Sequence, residues 1–150
     1  LQKAKFDYIK SSKAYATMIA ENYVGLPFKA DGRTREGVDC YGLVCLVYKE
    51  LHNIDLNPFT GIFVEQTPEK MLEIARIMNK DRDNWLRGDK PQTFDMIQLR
   101  TGRHAFHVGI MIDGKRMLHV EEGIDSVIES IRSPLWANRI EWIYRHPCLM

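Results

Sequence analysis

His107-Val108-Gly109-Ile110-Met111-Ile112-Asp113-Gly114-Lys115-Arg116-Met117-Leu118-His119-Val120 reads as two β-strands joined by a tight turn. β-prone apolar residues flank the turn pair Asp113-Gly114. The register follows from parity. A two-residue loop pairs Ile112 with Lys115 and puts the two histidines on opposite faces. A three-residue loop, Asp113 to Lys115, pairs Ile112 with Arg116, Ile110 with Leu118 and Val108 with Val120, which makes a continuous apolar face. The second register is physically better, because facing side chains match. Its other face carries His107, Gly109, Met111, Met117 and His119, with Gly109 directly across from His119. Three-residue hairpins often end in a left-handed residue, where Gly is expected rather than Lys115.

Other short β-prone runs surround this hairpin: Met96 to Leu99, Val127 to Ile131 and Ile140 to Tyr144. Upstream, the periodicity becomes helical. Leu1 to Asn22 carries Phe6, Ile9, Ala16, Ile19 and Ala20 on one stripe, and Gly25-Leu26-Pro27 ends it. Asp31-Gly32 and Glu36-Gly37 mark turns. Leu43, Leu46, Val47 and Leu51 make a second helical stripe with Asp39 as its N-cap. A further helix is predicted from Thr67-Pro68 to about Lys80, with Met71, Leu72, Ala75 and Met78 inward. Asp81 to Thr93 reads as irregular. Helices first and strands after predict an α+β domain with an antiparallel sheet of about five strands, one domain over residues 1–150.

The composition is that of a globular chain. Of 150 residues, 45% are apolar and 27% charged, with a formal net charge of +1. That excludes a disordered chain and offers no electrostatic footprint for nucleic acid. No apolar run is long enough to span a bilayer. Leu1 to Tyr23 carries Lys3, Lys5 and Lys10 without a continuous apolar core, so it does not read as a signal peptide. Since the chain begins at Leu1, this leaves localisation open. Three cysteines, Cys40, Cys45 and Cys148, do not make a disulfide scaffold.

Cys40 stands just after the Asp39 cap. A helix N-terminus favours a thiolate through its unpaired N–H groups and positive dipole end. The same N–H groups suit a tetrahedral oxyanion. Gly42 removes a side chain on the side from which a substrate would approach. The bland alternative for Cys40 is a buried, inert thiol. The hairpin register puts His107 and His119 on one face as diagonal neighbours, so His119 can orient the His107 ring; alternatively His119 is a satisfied core residue. His104 lies three residues before His107, with opposite strand parity. His52 and His146 read as peripheral, Cys45 as core and Cys148 as incidental.

Tyr23 to Phe28, Asp31-Gly32 and Asp39 to Val44 resemble the N-terminal signature of the NlpC family of papain-like cell-wall peptidases. Phe94 to Leu99 resembles that family's Gly-Asp-apolar strand. His107 to Ile110 and Gly114 to His119 resemble its histidine strand and third-residue strand. Ser133-Pro134-Leu135-Trp136 and Ile140 to Arg145 resemble its phage and prophage tail branch. The resemblance implies a papain-like α+β fold and a Cys40–His107–His119 triad. It implies a substrate-binding or oxyanion region around Phe28, Asp39, Tyr41, Gly42 and Gly109. The implied partners are peptidoglycan stem peptides, typically cut between D-glutamate and a diamino acid, and for the tail branch phage tail proteins. No metal, organic cofactor, nucleic acid or membrane is implied. Two residues depart from the pattern. The family usually has Tyr at Phe28, where the hydroxyl helps the oxyanion region, so lower activity or a substitute donor is expected. Many members have Ser at Tyr41, whose bulk is expected to narrow the cleft.

Three rival readings remain at this stage. Cys40, His107 and His119, with His104 or Cys45, are a possible zinc set, although no CxxC pair or His-x-x-x-His helix supports it. A catalytically silent assembly module has the same motifs. Acyl transfer or another amide hydrolysis uses the same Cys–His chemistry.

Overall fold

Helical spacing accounts for the first element, α1 (Ser12–Tyr23), whose Ala16, Ile19 and Tyr23 are buried. A computed structural model describes residues 12–59, 84–101 and 104–149, together with 69, 72–73, 76–77 and 80. Phe6 and Ile9 of the predicted stripe lie outside the described residues. Gly25, with φ +89°, lets the chain turn out of α1, a conformation most side chains resist. The turn is then pinned to a residue a hundred positions away. Gly25 N–H donates to the Ser126 carbonyl (2.9 Å), Ser126 N–H to the Leu26 carbonyl (2.8 Å), and Leu26 N–H to Ser126 Oγ (2.8 Å).

The turns at Asp31-Gly32 and Glu36-Gly37 frame a small hairpin, β1 (Arg33–Thr34) and β2 (Gly37–Val38), which delivers the chain to α2 (Cys40–His52). Asp39 caps α2 as predicted, with extended backbone and its carboxylate accepting from Gly42 N–H at 2.7 Å. Leu43, Leu46 and Val47 are buried. Asn53 closes the helix in the left-handed region (φ 53°) and returns its N–H to the Lys49 carbonyl.

Of the predicted helix to Lys80, residues 69, 72–73, 76–77 and 80 are helical; its start at Thr67-Pro68 and Met71, Ala75 and Met78 lie outside the described residues. Leu72 is 53% exposed rather than inward. Glu73 and Ile77, four residues apart, are half-buried.

Among the described residues the main sheet has six strands, one more than the five runs read from sequence: β3 (Leu86–Arg87), β4 (Met96–Thr101), β5 (His104–Met111), β6 (Arg116–Glu121), β7 (Ile124–Ser130) and β8 (Ile140–Arg145). Their order is β3-β8-β4-β5-β6-β7, antiparallel throughout. The extra strand falls in the stretch that reads as irregular, because two residues carry no alternation to detect. It pairs with β8, and the Arg87 guanidinium sits 3.5 Å over the Trp142 ring.

The hairpin has the three-residue loop and the register the apolar face demanded. Ile110 pairs with Leu118, Met111 with Met117, and Ile112 N–H donates to the Arg116 carbonyl. The loop needs no left-handed residue. The Asp113 carboxylate instead accepts from the N–H groups of Lys115 and Arg116, each at 2.8 Å. Val108, Ile110, Leu118 and Val120 bury one sheet face under α2, in a core that also takes in Ala16, Ile19 and Tyr23 of α1. Met111 and Met117 pack on the other face with Ile97, Leu99, Ile131 and Trp136. Val38, two residues before Cys40, belongs to the first of these cores, which fixes the start of α2 against the sheet.

Candidate active site

Asp39 organises the start of α2. Besides capping Gly42 it accepts from Asp31 N–H (2.9 Å) and pairs with Arg33 Nη1 (2.8 Å). Arg33 also donates to the Gly32 and Pro58 carbonyls, which ties β1 to the loop after α2. The space that Gly42 leaves is filled by the protein. A Cβ there would lie 2.0 Å from the Gly32 carbonyl oxygen and 2.8 Å from Arg33 Nη1. Its lack of a side chain thus serves the chain's own packing, a correction to the substrate-side reading. Tyr41 is also corrected. Its ring is buried, 5.6 Å from Phe59, and its hydroxyl donates to the Asn57 carbonyl, so it anchors a loop rather than narrowing a cleft. Phe28 is half-buried and forms an isolated parallel bridge with Val38, two residues before Cys40.

Cys40 is partly exposed, and its thiol lies against the backbone N–H groups of Tyr41 and Val108, the latter directly after His107. Among the described residues, the β5–β6 pairing stops at Ile110, and Val108 lies beyond that point. Burial, reinforced by the Asp39 charge, pushes the thiol up to about 12. The two N–H groups and Arg33 pull the other way and are outweighed. Burial thus outweighs the helix N-terminus, which by itself favours a thiolate. Burial, with the neighbouring His119, pushes His107 down to about 3. Thiol and imidazole are both neutral at rest.

His107 and His119 are buried, and His107 Nε2 lies 2.9 Å from His119 Nδ1. Gly109 permits this. A Cβ there would lie 3.3 Å from His119 Cβ and 3.1 Å from the Leu118 carbonyl oxygen. Two further residues complete the cluster, and sequence reasoning missed both. Glu129 hydrogen-bonds His119 Nε2 and accepts from Trp136 Nε1 at 3.1 Å. The Trp136 ring is buried, stacked on His107 (5.5 Å, 20°) and edge-on to His119 (5.1 Å, 85°). The parity that paired the histidines had the signal for Glu129. Val127 faces His119, so Glu129 is its diagonal neighbour on the same face.

Among the described residues, His107, His119 and Glu121 have donor atoms close enough together to hold a metal ion, within 4.8 Å of one another. That set differs from the zinc set weighed above, which used Cys40. His52 is not peripheral. Its ring packs edge-on to Phe94 at 4.2 Å and tilted to Tyr48 at 5.8 Å, and burial with His146 nearby pushes it down to about 4. His104 belongs to β5, and its side chain lies outside the described residues.

A thiol and an imidazole at the junction of a helix start and a strand, backed by a second imidazole, can perform nucleophilic acyl chemistry. Comparison with known proteins points to the same group. The family model described as the NlpC/P60 family matches residues 25–145. A murein DD-endopeptidase and LD-carboxypeptidase, MepS, of Escherichia coli is 24% identical over 118 residues, 79% of this chain and 54% of that protein. A probable endopeptidase of Haemophilus influenzae is 28% identical over 117 residues, 77% of this chain and 63% of that protein. The chain thus spans between half and two thirds of the length of these relatives. Among solved structures, an NlpC/P60 family protein from Bacillus cereus superposes with a TM-score of 0.64 at 19% identity, covering 91% of this chain and 40% of that one. The NlpC/p60 domain of the peptidoglycan hydrolase SagA gives 0.60 at 17% identity, covering 87% and 96%. The fold is that of NlpC/P60 domains, and the chain belongs to the NlpC/P60 family.

Proposed function

We propose that this chain is a single-domain cysteine peptidase that hydrolyses amide bonds in peptidoglycan stem peptides, with Cys40 as nucleophile, His107 as base and His119 as its orienting partner. The observation that carries this reading is the 2.9 Å contact between His107 Nε2 and His119 Nδ1, beside a thiol held at the N–H of Val108. Because thiol and imidazole start neutral, the proton moves as the bond forms. Cys40 Sγ attacks the amide carbonyl carbon, and its proton passes to His107 Nδ1. The carbonyl electrons move to oxygen. Asp39 already engages the N–H groups of Gly42 and Leu43, so the oxyanion falls to the N–H of Cys40. His107 then gives its proton to the leaving nitrogen as the C–N bond breaks. Water, deprotonated by His107, attacks the thioester and releases the acid, and Cys40 regains its proton.

The relatives named as murein endopeptidases support peptidoglycan as the substrate class. The D-glutamyl–diamino acid bond is the finer reading, from the sequence resemblance. Association with a phage tail rests on Ser133 to Trp136 and Ile140 to Arg145 alone, and neither relative above is named for a tail. Phe28, which has no hydroxyl to offer, favours the second reading, a silent module of the same fold. Digestion of purified stem peptides with wild type, Cys40→Ala and His119→Ala, products read by mass spectrometry, decides. Cleavage lost in Cys40→Ala and reduced in His119→Ala supports the peptidase and names the bond. Equal cleavage by wild type and Cys40→Ala refutes it. No cleavage by wild type, without preferential iodoacetamide labelling of Cys40, supports the silent module. Selective labelling with no cleavage supports acyl transfer or another amide as the reaction.

A further inference from the structure

We infer that Glu129 is a positioning residue that fixes the tautomers of both histidines and so leaves His107 Nδ1 with the lone pair a base needs. The inference rests on the peptidase reading and deepens it.

Donors and acceptors set the tautomers. A neutral imidazole carries one N–H and one bare nitrogen, and nothing in the ring chooses between them. The choice comes from outside. Glu129 Oε2 accepts from Trp136 Nε1 at 3.1 Å, so that oxygen acts as an acceptor. The same oxygen, which as a carboxylate can only accept, hydrogen-bonds His119 Nε2, so that nitrogen carries the proton. His119 Nδ1 is then bare and can only accept. Its partner, His107 Nε2 at 2.9 Å, must donate. His107 Nδ1 is left with the lone pair, as a base requires. If His119 were the other tautomer, His107 would be protonated on Nδ1 and could not take the thiol proton.

Trp136 holds the relay in place. Its ring stacks on His107 and meets His119 edge-on, while its N–H fixes the carboxylate. Burial keeps both rings out of water, which would otherwise supply alternative partners. Glu129 itself is 36% exposed at the side chain, so it is reached from solvent without being part of a core. Replacing it changes a hydrogen-bond chain more than it changes packing.

The test compares wild type with Glu129→Gln and Glu129→Leu in the full chain, each checked for folding by thermal unfolding. Imidazole ¹⁵N correlation spectra read the tautomers, and stem-peptide cleavage reads kcat and KM separately. The glutamine keeps an acceptor oxygen, which the Trp136 N–H holds toward His119. The expected result is wild-type tautomers in Glu129→Gln with kcat within about fivefold. Glu129→Leu is expected to mix the His119 tautomers and to lower kcat at least tenfold, with KM within about twofold, as misplaced tautomers do in other triads. A folded Glu129→Leu with wild-type tautomers overturns the inference. So does equal loss in the two variants, which would make charge, not acceptor geometry, the active property. If no variant cleaves any stem peptide, the peptidase reading has failed, and the ¹⁵N spectra still decide the tautomer claim by themselves.

Discussion

Asp39→Ala should damage both the stability of the fold and the chemistry of the thiol, in directions that can be separated. The carboxylate accepts from Gly42 N–H, accepts from Asp31 N–H and pairs with Arg33 at 2.8 Å. Loss of the helix cap costs about 1 kcal/mol. Loss of the ion pair leaves a guanidinium that is 14% exposed, and breaking a buried pair costs roughly 3–5 kcal/mol. Asp31, 3.8 Å from Arg33, and the Pro58 carbonyl remain to soften that loss. With those partners remaining, the net loss is about 2–4 kcal/mol, or roughly 5–15 °C in Tm for a domain of this size. Asp39→Asn keeps the cap acceptor and should lose less. In both variants the negative charge that raises Cys40 is gone while Arg33 stays, so the thiol pKa should fall. The assay is urea unfolding followed by circular dichroism, beside iodoacetamide alkylation of Cys40 across pH. A loss below about 0.5 kcal/mol in Asp39→Ala, within the range of ordinary surface substitutions, would refute the structural role. Slower alkylation of Asp39→Asn than of wild type at pH 8 would refute the electrostatic one.

Other outcomes follow from the same geometry. Gly42→Ala should destabilise the chain by roughly 1–3 kcal/mol, because its Cβ would meet the Gly32 carbonyl oxygen at 2.0 Å; a wild-type Tm would contradict this. Acid should weaken the fold through His107. Above its unfolded value near 6.5 the residue is neutral in both states, and stability is unaffected. As pH falls from there toward about 3, the unfolded chain binds a proton that the folded chain refuses, at a cost of about 1.4 kcal/mol per pH unit. His52, held down to about 4, adds to the loss in the same direction. Unfolding free energy that is flat between pH 6.5 and 4.5 would contradict both. For the same reason kcat/KM should not show a histidine limb near pH 6.5 while the enzyme stays folded, and a pH–rate profile reads this directly.

β4 to β8 were legible in the sequence because each carries a run of β-prone residues bounded by turn residues. The hairpin register was legible because only one loop length matched Val108, Ile110, Leu118 and Val120 across the strands. β3 was not, since its two residues lie in a polar stretch and owe their pairing to Arg145 and Tyr144 far along the chain. Leu72 was read as inward from its helical spacing, and its side chain is exposed. At the site, Cys40, His107 and His119 were read from local chemistry and parity, and the structure brings the two histidines together. The charge states of Cys40 and His107 were not legible, because burial is a property of the whole fold. Gly42 and Tyr41 were given substrate-side roles because sequence shows a small or large side chain but not what fills the space around it. Glu129 and Trp136 were missed for different reasons: the first by stopping the parity argument one strand early, the second because only the chain's return after β7 brings it over the histidines.

The central claim is a covalent bond between Cys40 and the acyl part of the substrate. It is tested most directly by mixing wild type with a stem peptide, quenching in acid within the first turnover and mapping the adduct by mass spectrometry. The account predicts the acyl fragment on the peptide containing Cys40, with none in Cys40→Ala. Wild-type turnover without an adduct at Cys40, and unchanged turnover in Cys40→Ala, would contradict it.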